Sequence, residues 1–147
     1  MSGFDRSLDA DDPLTLPGFF DALADGELLG GVCADCGEVL LPPRPACYGC
    51  GGRNVDAEPQ PKTGEVYSYT AVHAPPPALE ADAPYTIAIV ELDSGGRLTG
   101  RVDAEYDAVS IGDRVALRVR EPTEAERSIA LDYELEWPVH VFDPDDA

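Results

Sequence analysis

The sequence predicts a mainly β protein, in which an N-terminal helix and a zinc ribbon precede a five-stranded barrel of the OB-fold type. Three observations in the 147 residues support this prediction. One short run has helical spacing, all four cysteines fall into two Cys-x-x-Cys pairs, and five short strand-like runs follow Gly64 without a long helix between them. Five strands suit a small Greek-key barrel, whereas a β-sandwich, the alternative, usually has more.

The helix is predicted from four apolar residues at helical spacing. They are Leu16, Phe19, Phe20 and Leu23. Thr15 is a suitable N-cap, Pro17 suits the first turn and Gly26 suits the end, which indicates a helix over about 17–25. Because so short a helix does not fold alone, its apolar stripe is either packing surface or a docking surface for another subunit.

The four cysteines, Cys33, Cys36, Cys47 and Cys50, have the spacing of a structural zinc site. A glycine follows the second cysteine of each pair, and glycine permits the tight left-handed turn that directs backbone amides towards sulfur. An iron–sulfur cluster also uses four cysteines but suits this spacing less well. A thioredoxin-like redox site needs only one pair in a βαβ context, and a catalytic zinc keeps an open coordination position. We therefore predict structural zinc.

The barrel is predicted from strand-like runs separated by turn residues. The runs are 65–73, 85–92, 97–103, 113–120 and 129–137. The last one, IALDYELEW, has the cleanest alternation of apolar and acidic residues. The segment between the last cysteine and Gly64 is rich in turn residues and is predicted to be a linker.

These runs divide the chain into four predicted segments. Residues 1–14 form a disordered acidic N-terminus, 15–58 the helix and zinc ribbon, 59–140 the OB-fold barrel and 141–147 an acidic tail. The first and last segments are polar and lack a periodic apolar pattern that would bury a face.

The charge balance disfavours nucleic acid and anionic lipid as partners. Asp and Glu total 29 against ten Lys and Arg, and the net charge is -19. The even spread of acid and the scarcity of lysine are typical of halophilic archaeal proteins. The N-terminus lacks the apolar region of a signal peptide and no apolar run approaches the ~20 residues of a membrane span, so we expect a cytoplasmic protein. That compartment is reducing, which favours metal over disulfides.

A row of arginines and two histidines are the remaining candidates for function. Arg114, Arg118 and Arg120 share one face of a predicted strand, where the neighbouring strand 129–137 would place Asp132 and Glu136. Such cross-strand pairs would neutralise the row, although an anion site is the alternative. His73 and His140 have no nucleophile at a recognisable spacing. We therefore expect no catalytic residues and no enzyme activity.

The motifs together resemble one protein family. FFDALADGELLGGVC, CADCG, PPR, CYGCG, TGEVYSYTAVH, PYTIAIVELDSGGRLTGRV and VSIGDRV, in this order over residues 16–121, are similar to the zinc-ribbon and OB-fold proteins, formerly a domain of unknown function, that accompany thiolases. The resemblance implies zinc on the four cysteines. It also implies that Arg44 of the Pro-Pro-Arg motif contacts a CoA phosphate or an acidic residue of a partner; a surface arginine paired with a nearby carboxylate is the alternative.

The resemblance further implies a scaffold. Archaeal members of this family form a non-catalytic bridge between acetoacetyl-CoA thiolase and 3-hydroxy-3-methylglutaryl-CoA (HMG-CoA) synthase and aid transfer of CoA thioesters. Two alternatives remain from the sequence: a stand-alone acyl-CoA-binding carrier and a single-stranded nucleic-acid-binding OB-fold protein.

Overall fold

The computed structural model describes residues 12–75, 77–130 and 137–145. The chain divides into two compact units. The first contains Met1–Pro61 and Leu92–Leu98, and the second contains Lys62–Glu91 and Thr99–Ala147. We call them the ribbon unit and the barrel unit. Within the described residues, neither helix has the length and apolar character needed to cross a bilayer.

Helix α1, Leu16–Ala24, opens the ribbon unit and confirms the predicted helix. The Thr15 hydroxyl accepts a hydrogen bond from the Gly18 backbone N–H at 3.2 Å, which satisfies one of the free donors of the first turn. Gly26 follows the helix with φ of 85°, a left-handed conformation suited to glycine. Phe19 and Leu23 are fully buried, so this part of the apolar stripe is packing surface.

A three-stranded antiparallel sheet follows in the ribbon unit, in the order β2-β1-β3. Its strands are β1 Leu29–Cys33, β2 Val39–Leu40 and β3 Val55–Pro59. Strand β1 pairs with β3 over five residues, from Leu29 opposite Pro59 to Cys33 opposite Val55. The sequence prediction of a linker was wrong for 55–59. Only Val55 of β3 is buried, so the strand lacks the alternation that would have identified it.

The barrel is closed and has five strands in the order β4-β5-β6-β8-β7, which confirms the predicted fold class. The strands are β4 Thr63–Val72, β5 Tyr85–Leu92, β6 Arg97–Val102, β7 Arg114–Arg120 and β8 Val139–Pro144. Strand β8 runs parallel to β6 and antiparallel to β7. The first four strands agree with the predicted runs to within two residues at each end.

The closing strand differs from the sequence prediction. Residues Glu124–Ile129 form helix α2, residue 137 is not in a strand, and 131–136 lie outside the described residues. Strand β8 is formed instead by Val139–Pro144, so 141–144 belong to the barrel and not to a loose acidic tail. The physical reasons are a capping box that starts α2 at Thr123 and the complete burial of Val141 and Phe142.

Candidate metal centre

The four cysteine sulfurs converge in the ribbon unit. Their Sγ atoms all lie within 4.8 Å of one another. Each sulfur of the first pair is close to one of the second: Cys33 Sγ is 3.6 Å from Cys50 Sγ, and Cys36 Sγ is 3.6 Å from Cys47 Sγ. None of the four forms a disulfide. The sequence thus identified a group of residues that the fold brings to one point.

Two similar turns position these sulfurs. In the first, the Gly37 N–H donates to the Cys33 carbonyl at 2.8 Å, and in the second the Gly51 N–H donates to the Cys47 carbonyl at 2.9 Å. Both glycines have a left-handed backbone, with φ of 81° and 77°, as the repeated Cys-x-x-Cys-Gly pattern predicted. This geometry places both sulfurs of a pair on the same side of the turn.

Backbone amides point at the sulfurs of the second cysteine pair. The Gly49 N–H donates to Cys47 Sγ at 3.3 Å, and the Gly52 N–H donates to Cys50 Sγ at 3.4 Å. Donors of this kind stabilise thiolate over thiol. Cys33 and Cys47 are buried whereas Cys36 and Cys50 are exposed, so the cluster lies at the edge of the small core formed with Leu14, Leu40 and Val55.

The protonation of the cluster fits a divalent cation. Hydrogen bonding to the Cys36 backbone lowers the pKa of Cys33 to about 7. The Glu38 backbone N–H favours the Cys36 thiolate, yet the Cys47 thiol and desolvation outweigh it and raise the pKa of Cys36 to about 12. Four neighbouring sulfurs therefore do not all ionise by themselves, and a cation that accepts four soft ligands tetrahedrally removes this conflict.

Arg44 and Tyr48 lie on the segment between the two cysteine pairs. The Arg44 guanidinium stands over the Tyr48 ring, 5.7 Å from its centroid. Tyr48 is exposed and donates a hydrogen bond to the Val39 carbonyl at 3.4 Å. Among the described residues, no carboxylate forms an ion pair or hydrogen bond with Arg44, so the paired-surface alternative for this arginine has no support there.

Sequence reasoning missed the contact between Asp35 and Asn54. The Asn54 amide donates to both carboxylate oxygens of Asp35, at 3.2 and 3.3 Å, and thereby links the first cysteine turn to the residue before β3. The two residues are separated by 19 positions, and the sequence carried no signal for the pairing because β3 itself was not predicted.

The arginine row on β7 is paired with acidic residues, but not with the acids expected. Arg118 donates to Asp143 from Nε at 2.8 Å and from Nη2 at 3.1 Å, and to Asp103 at 3.2 Å. Arg120 donates twice to Glu126, at 2.7 and 3.0 Å. The expected partners, Asp132 and Glu136, lie outside the described residues. Both arginines are thus engaged by carboxylates, which weakens the alternative of an anion site.

The two histidines, His73 and His140, both belong to the barrel unit. His140 is half-buried on β8, where its Nε2 lies 2.8 Å from the Thr99 carbonyl, and desolvation lowers the pKa of its imidazole. His73 is exposed and lines a cavity of the barrel unit. Among the described residues, neither histidine forms a hydrogen bond with a nucleophilic side chain.

Two family models match the chain, one for each part of the predicted architecture. Residues 20–56 match the model described as ChsH2, rubredoxin-like zinc ribbon domain. Residues 57–120 match the model described as ChsH2, C-terminal OB-fold domain. With the convergent thiols, the zinc-ribbon match identifies zinc as the structural cofactor of this chain.

Curated relatives cover much of the chain. It is 33% identical over 108 residues to a DUF35 domain-containing scaffold protein of Methanothermobacter thermautotrophicus, covering 72% of this chain and 81% of that protein. It is 41% identical over 90 residues to a protein of the same description from Methanocaldococcus jannaschii, covering 60% and 64%. It is also 41% identical over 101 residues to a probable enoyl-CoA hydratase alpha subunit of Thermomonospora curvata, covering 67% of this chain but 31% of that protein.

Solved structures agree with the fold. A chain of the Ltp2–ChsH2(DUF35) aldolase matches with a TM-score of 0.66 and 33% identity, covering 86% of this chain and 91% of that one. A DUF35 protein of unknown function from Sulfolobus solfataricus matches with a TM-score of 0.55 and 18% identity, covering 87% and 83%. The second match shows a shared fold alone.

Proposed function

Because the chain belongs to the DUF35 family, which joins a ChsH2-type zinc ribbon to an OB-fold domain, we propose that it is a non-catalytic scaffold subunit of an acyl-CoA enzyme complex. The observation that carries this proposal is the 33% identity between this chain and a protein described as a scaffold, over 81% of that protein's length. The first partner is a thiolase, as the sequence resemblance implies.

The donor set supports a structural and not a catalytic role for the metal. We assign zinc to the thiolates of Cys33, Cys36, Cys47 and Cys50, which together fill the four positions of a tetrahedral site. Catalytic zinc sites instead combine three protein ligands with an exchangeable position. A reducing cytoplasm, the location expected from the sequence, would keep these thiols available for the metal.

In this proposal zinc makes the ribbon unit rigid enough to dock. The small core of this unit includes two of the cysteines themselves, so the metal contributes directly to its folding. Arg44 and Tyr48, both exposed on the segment between the cysteine turns, supply a cation and an aromatic ring, two residue types enriched at protein interfaces.

The finer proposal is that the scaffold also holds HMG-CoA synthase beside the thiolase. Thiolase condensation is thermodynamically unfavourable, and removal of the condensation product by a second enzyme shifts the equilibrium towards condensation. Holding both enzymes on one small protein raises the effective concentration of the second enzyme at the first. The chain then aids transfer of CoA-linked intermediates without reacting with them.

A stand-alone acyl-CoA carrier is the second candidate, because the barrel unit has a cavity of about 660 Å³. That volume falls within the range of small-molecule sites. The cavity is lined by Glu105 and Asp107, however, whose carboxylates would repel CoA phosphates. Nucleic acid is less favoured still, because Arg118 and Arg120 are engaged by acids.

Co-purification from native extract at high salt tests the proposal. A tagged chain should retain thiolase subunits, identified by mass spectrometry, whereas a carrier would be recovered without them. Cys47→Ser should release zinc and the thiolase while the barrel unit remains folded by circular dichroism. Ala46→Ser, which adds the same hydroxyl next to the site, is the control. Recovery of the chain without any thiolase, or turnover of CoA thioesters by the isolated chain, would contradict it.

A further inference from the structure

The cavity of the barrel unit lies where the end of β4, the start of β5 and the turn after β6 come together. Two tyrosines, Tyr85 and Tyr106, line it together with the carboxylates of Glu105 and Asp107 and with His73. Its volume of about 660 Å³ exceeds the space that one amino-acid side chain needs. Tyrosine side chains and carboxylates therefore line the same cavity, and the proposed scaffold function does not use it.

The carboxylates of the cavity are available for an external ligand. Among the described residues, neither Glu105 nor Asp107 forms an ion pair, and the Glu105 side chain does not cap the short 3-10 turn that it precedes. Tyr106 stands between them, is 47% exposed, and is held by the Tyr69 ring at a centroid distance of 5.1 Å. The turn therefore presents acid, ring and acid in three consecutive positions.

The barrel unit itself contains a cation bound by the same kind of groups. The guanidinium of Arg101 stands 4.0 Å from the centroid of the Tyr85 ring, and its Nη1 is 3.4 Å from a carboxylate oxygen of Asp82. Arg101 and Asp82 line a second, smaller cavity that shares Tyr85 and Glu105 with the first. Tyr85 thus already acts as an aromatic platform for one guanidinium at the border between the two cavities.

The carboxylates and tyrosine rings of the cavity favour a cation over a phosphate group or an acyl chain. A carboxylate pair beside tyrosine faces attracts guanidinium or ammonium by charge and by the negative face of the rings. Phosphate groups of CoA or of a nucleic acid would meet two carboxylates. An acyl chain would lie against ionised groups that lose hydration without gaining a partner. Guanidinium suits the site better than ammonium because it is planar, stacks on aromatic rings and binds carboxylates through two donors.

We propose that this cavity binds the side chain of an exposed arginine on a partner polypeptide, with the guanidinium against Tyr106 and its N–H groups directed to Glu105 and Asp107. The assignment of this polypeptide to the partner enzyme rests on the proposed scaffold function. The preference of the cavity for arginine rests only on the residues that line it. The net charge of -19 favours a basic partner surface in the same way, and this cavity gives that general attraction a specific site.

A peptide titration followed by NMR tests the site on the full-length chain. The probe is the capped peptide Ac-Gly-Arg-Gly-NH2, and the matched control replaces arginine by citrulline, which keeps the shape and removes the charge. We expect the arginine peptide to shift the backbone resonances of residues 105–107 and of Tyr85, and to bind about tenfold more tightly than the citrulline peptide. Equal binding of both peptides, or shifts confined to other residues, would overturn the proposal.

Variants that remove the carboxylate charges or the Tyr106 ring test where the peptide binds. The pair Glu105→Gln with Asp107→Asn, and separately Tyr106→Leu, should abolish the preference for arginine. The pair Glu65→Gln with Glu121→Gln changes the net charge equally at exposed positions outside the cavity lining and should preserve it. The peptide experiment is independent of thiolase. Arginine binding without thiolase recovery would therefore contradict only the proposed scaffold function. Thiolase recovery without a preference for the arginine peptide would contradict only the proposed arginine site.

Discussion

Arg120 and Glu126 form a two-point ion pair that links the last residue of strand β7 to helix α2. Arg120 Nη1 and Nη2 lie 2.7 and 3.0 Å from the two carboxylate oxygens of Glu126. The same carboxylate accepts the Thr123 backbone N–H at 2.8 Å and completes the capping box of α2. One side chain thus joins the start of the helix to the sheet, because it satisfies a helix donor and a strand cation together.

We expect Glu126→Gln to lower the free energy of unfolding by about 1 kcal/mol at pH 7, because it removes the charged acceptor of the cap and of Arg120. Arg120 lowers the pKa of Glu126 from 4.5 to about 2. The stabilisation is therefore present above pH 4.5 and is lost as the pH falls from there to about 2. Urea unfolding at pH 7 and at pH 2.5 measures it.

Glu124→Gln is the matched control for this prediction, since Glu124 lies in the first turn of the same helix but is exposed. It should change stability by only a few tenths of a kcal/mol. A Glu126→Gln variant that loses as much stability at pH 2.5 as at pH 7 would show that the carboxylate charge is not what holds the helix.

Arg118 links β7 to β8 through Asp143 and also contacts Asp103. In a chain of net charge -19, removing this cation leaves two carboxylates facing each other without compensation. We predict that Arg118→Ala lowers the stability at 0.1 M salt, and that the loss disappears in concentrated salt, because the side chains are exposed and screened. Urea unfolding at 0.1 and 2 M KCl measures the difference, with Arg44→Ala as the control that removes a cation without a carboxylate contact. Salt-independent destabilisation would point to lost packing instead.

The cysteine turns depend on glycine at positions with left-handed backbone. Gly51 has φ of 77°, and an added Cβ there would meet no atom within 4 Å, so only the conformation opposes a side chain. Gly51→Ala should therefore weaken zinc binding by about 1 kcal/mol, roughly fivefold. Competition with a coloured chelator measures the affinity.

Gly49→Ala serves as the comparison within the same turn. Gly49 has no positive φ, and its added Cβ would lie 3.3 Å from Glu38 Oε1, an atom at the end of a flexible side chain. Zinc affinity should therefore be nearly unchanged. Equal losses in the two alanine variants would contradict the conformational explanation.

Phe142 is completely buried in β8 and provides a test of how the barrel closes. Phe142→Ala should cost about 3–5 kcal/mol by removing a large ring from the core. Tyr67→Ala, at an aromatic position of β4 that is 48% exposed, should cost far less. Chemical denaturation followed by circular dichroism compares the two. A mild effect of Phe142→Ala would mean that β8 is not an integral strand of the barrel.

The position of β8 shows where sequence patterns stopped being informative. The cysteine turns and the first four barrel strands were predictable, since metal-ligand spacing and period-two burial act over a few residues. The alternation of apolar and acidic residues over 129–137 is longer and more regular than the pattern of the short run VHVF. The closing strand β8 is nevertheless formed by the second run and contains Val141 and Phe142. Only the tertiary context, with β6 on one side and β7 on the other, selects the weaker pattern.

The ribbon shows the same limit. Strand β3 carries one buried apolar residue, Val55, and is defined by its five pairings with β1 rather than by its own sequence. The acids that pair with Arg118 and Arg120 also depend on which strand and helix lie nearby. The sequence predicted that acidic residues would neutralise the arginine row, because opposite charges are favoured across a sheet. It did not predict which acidic residues would do so.

Arg44 gives the last prediction, which concerns partner binding. Its guanidinium lies over Tyr48 and, within the part of the chain that the structure describes, has no carboxylate partner, so an acidic group of the thiolase can bind it without breaking an existing ion pair. We expect Arg44→Ala to weaken thiolase association about tenfold in a pull-down at fixed salt, with zinc content and stability unchanged. Arg44→Lys should restore only part of it, because lysine keeps the charge but not the planar stack on Tyr48. Arg127→Ala, which removes one cation from α2, is the control. If Arg44→Ala and Arg127→Ala have the same effect, overall charge and not the Arg44 contact governs docking.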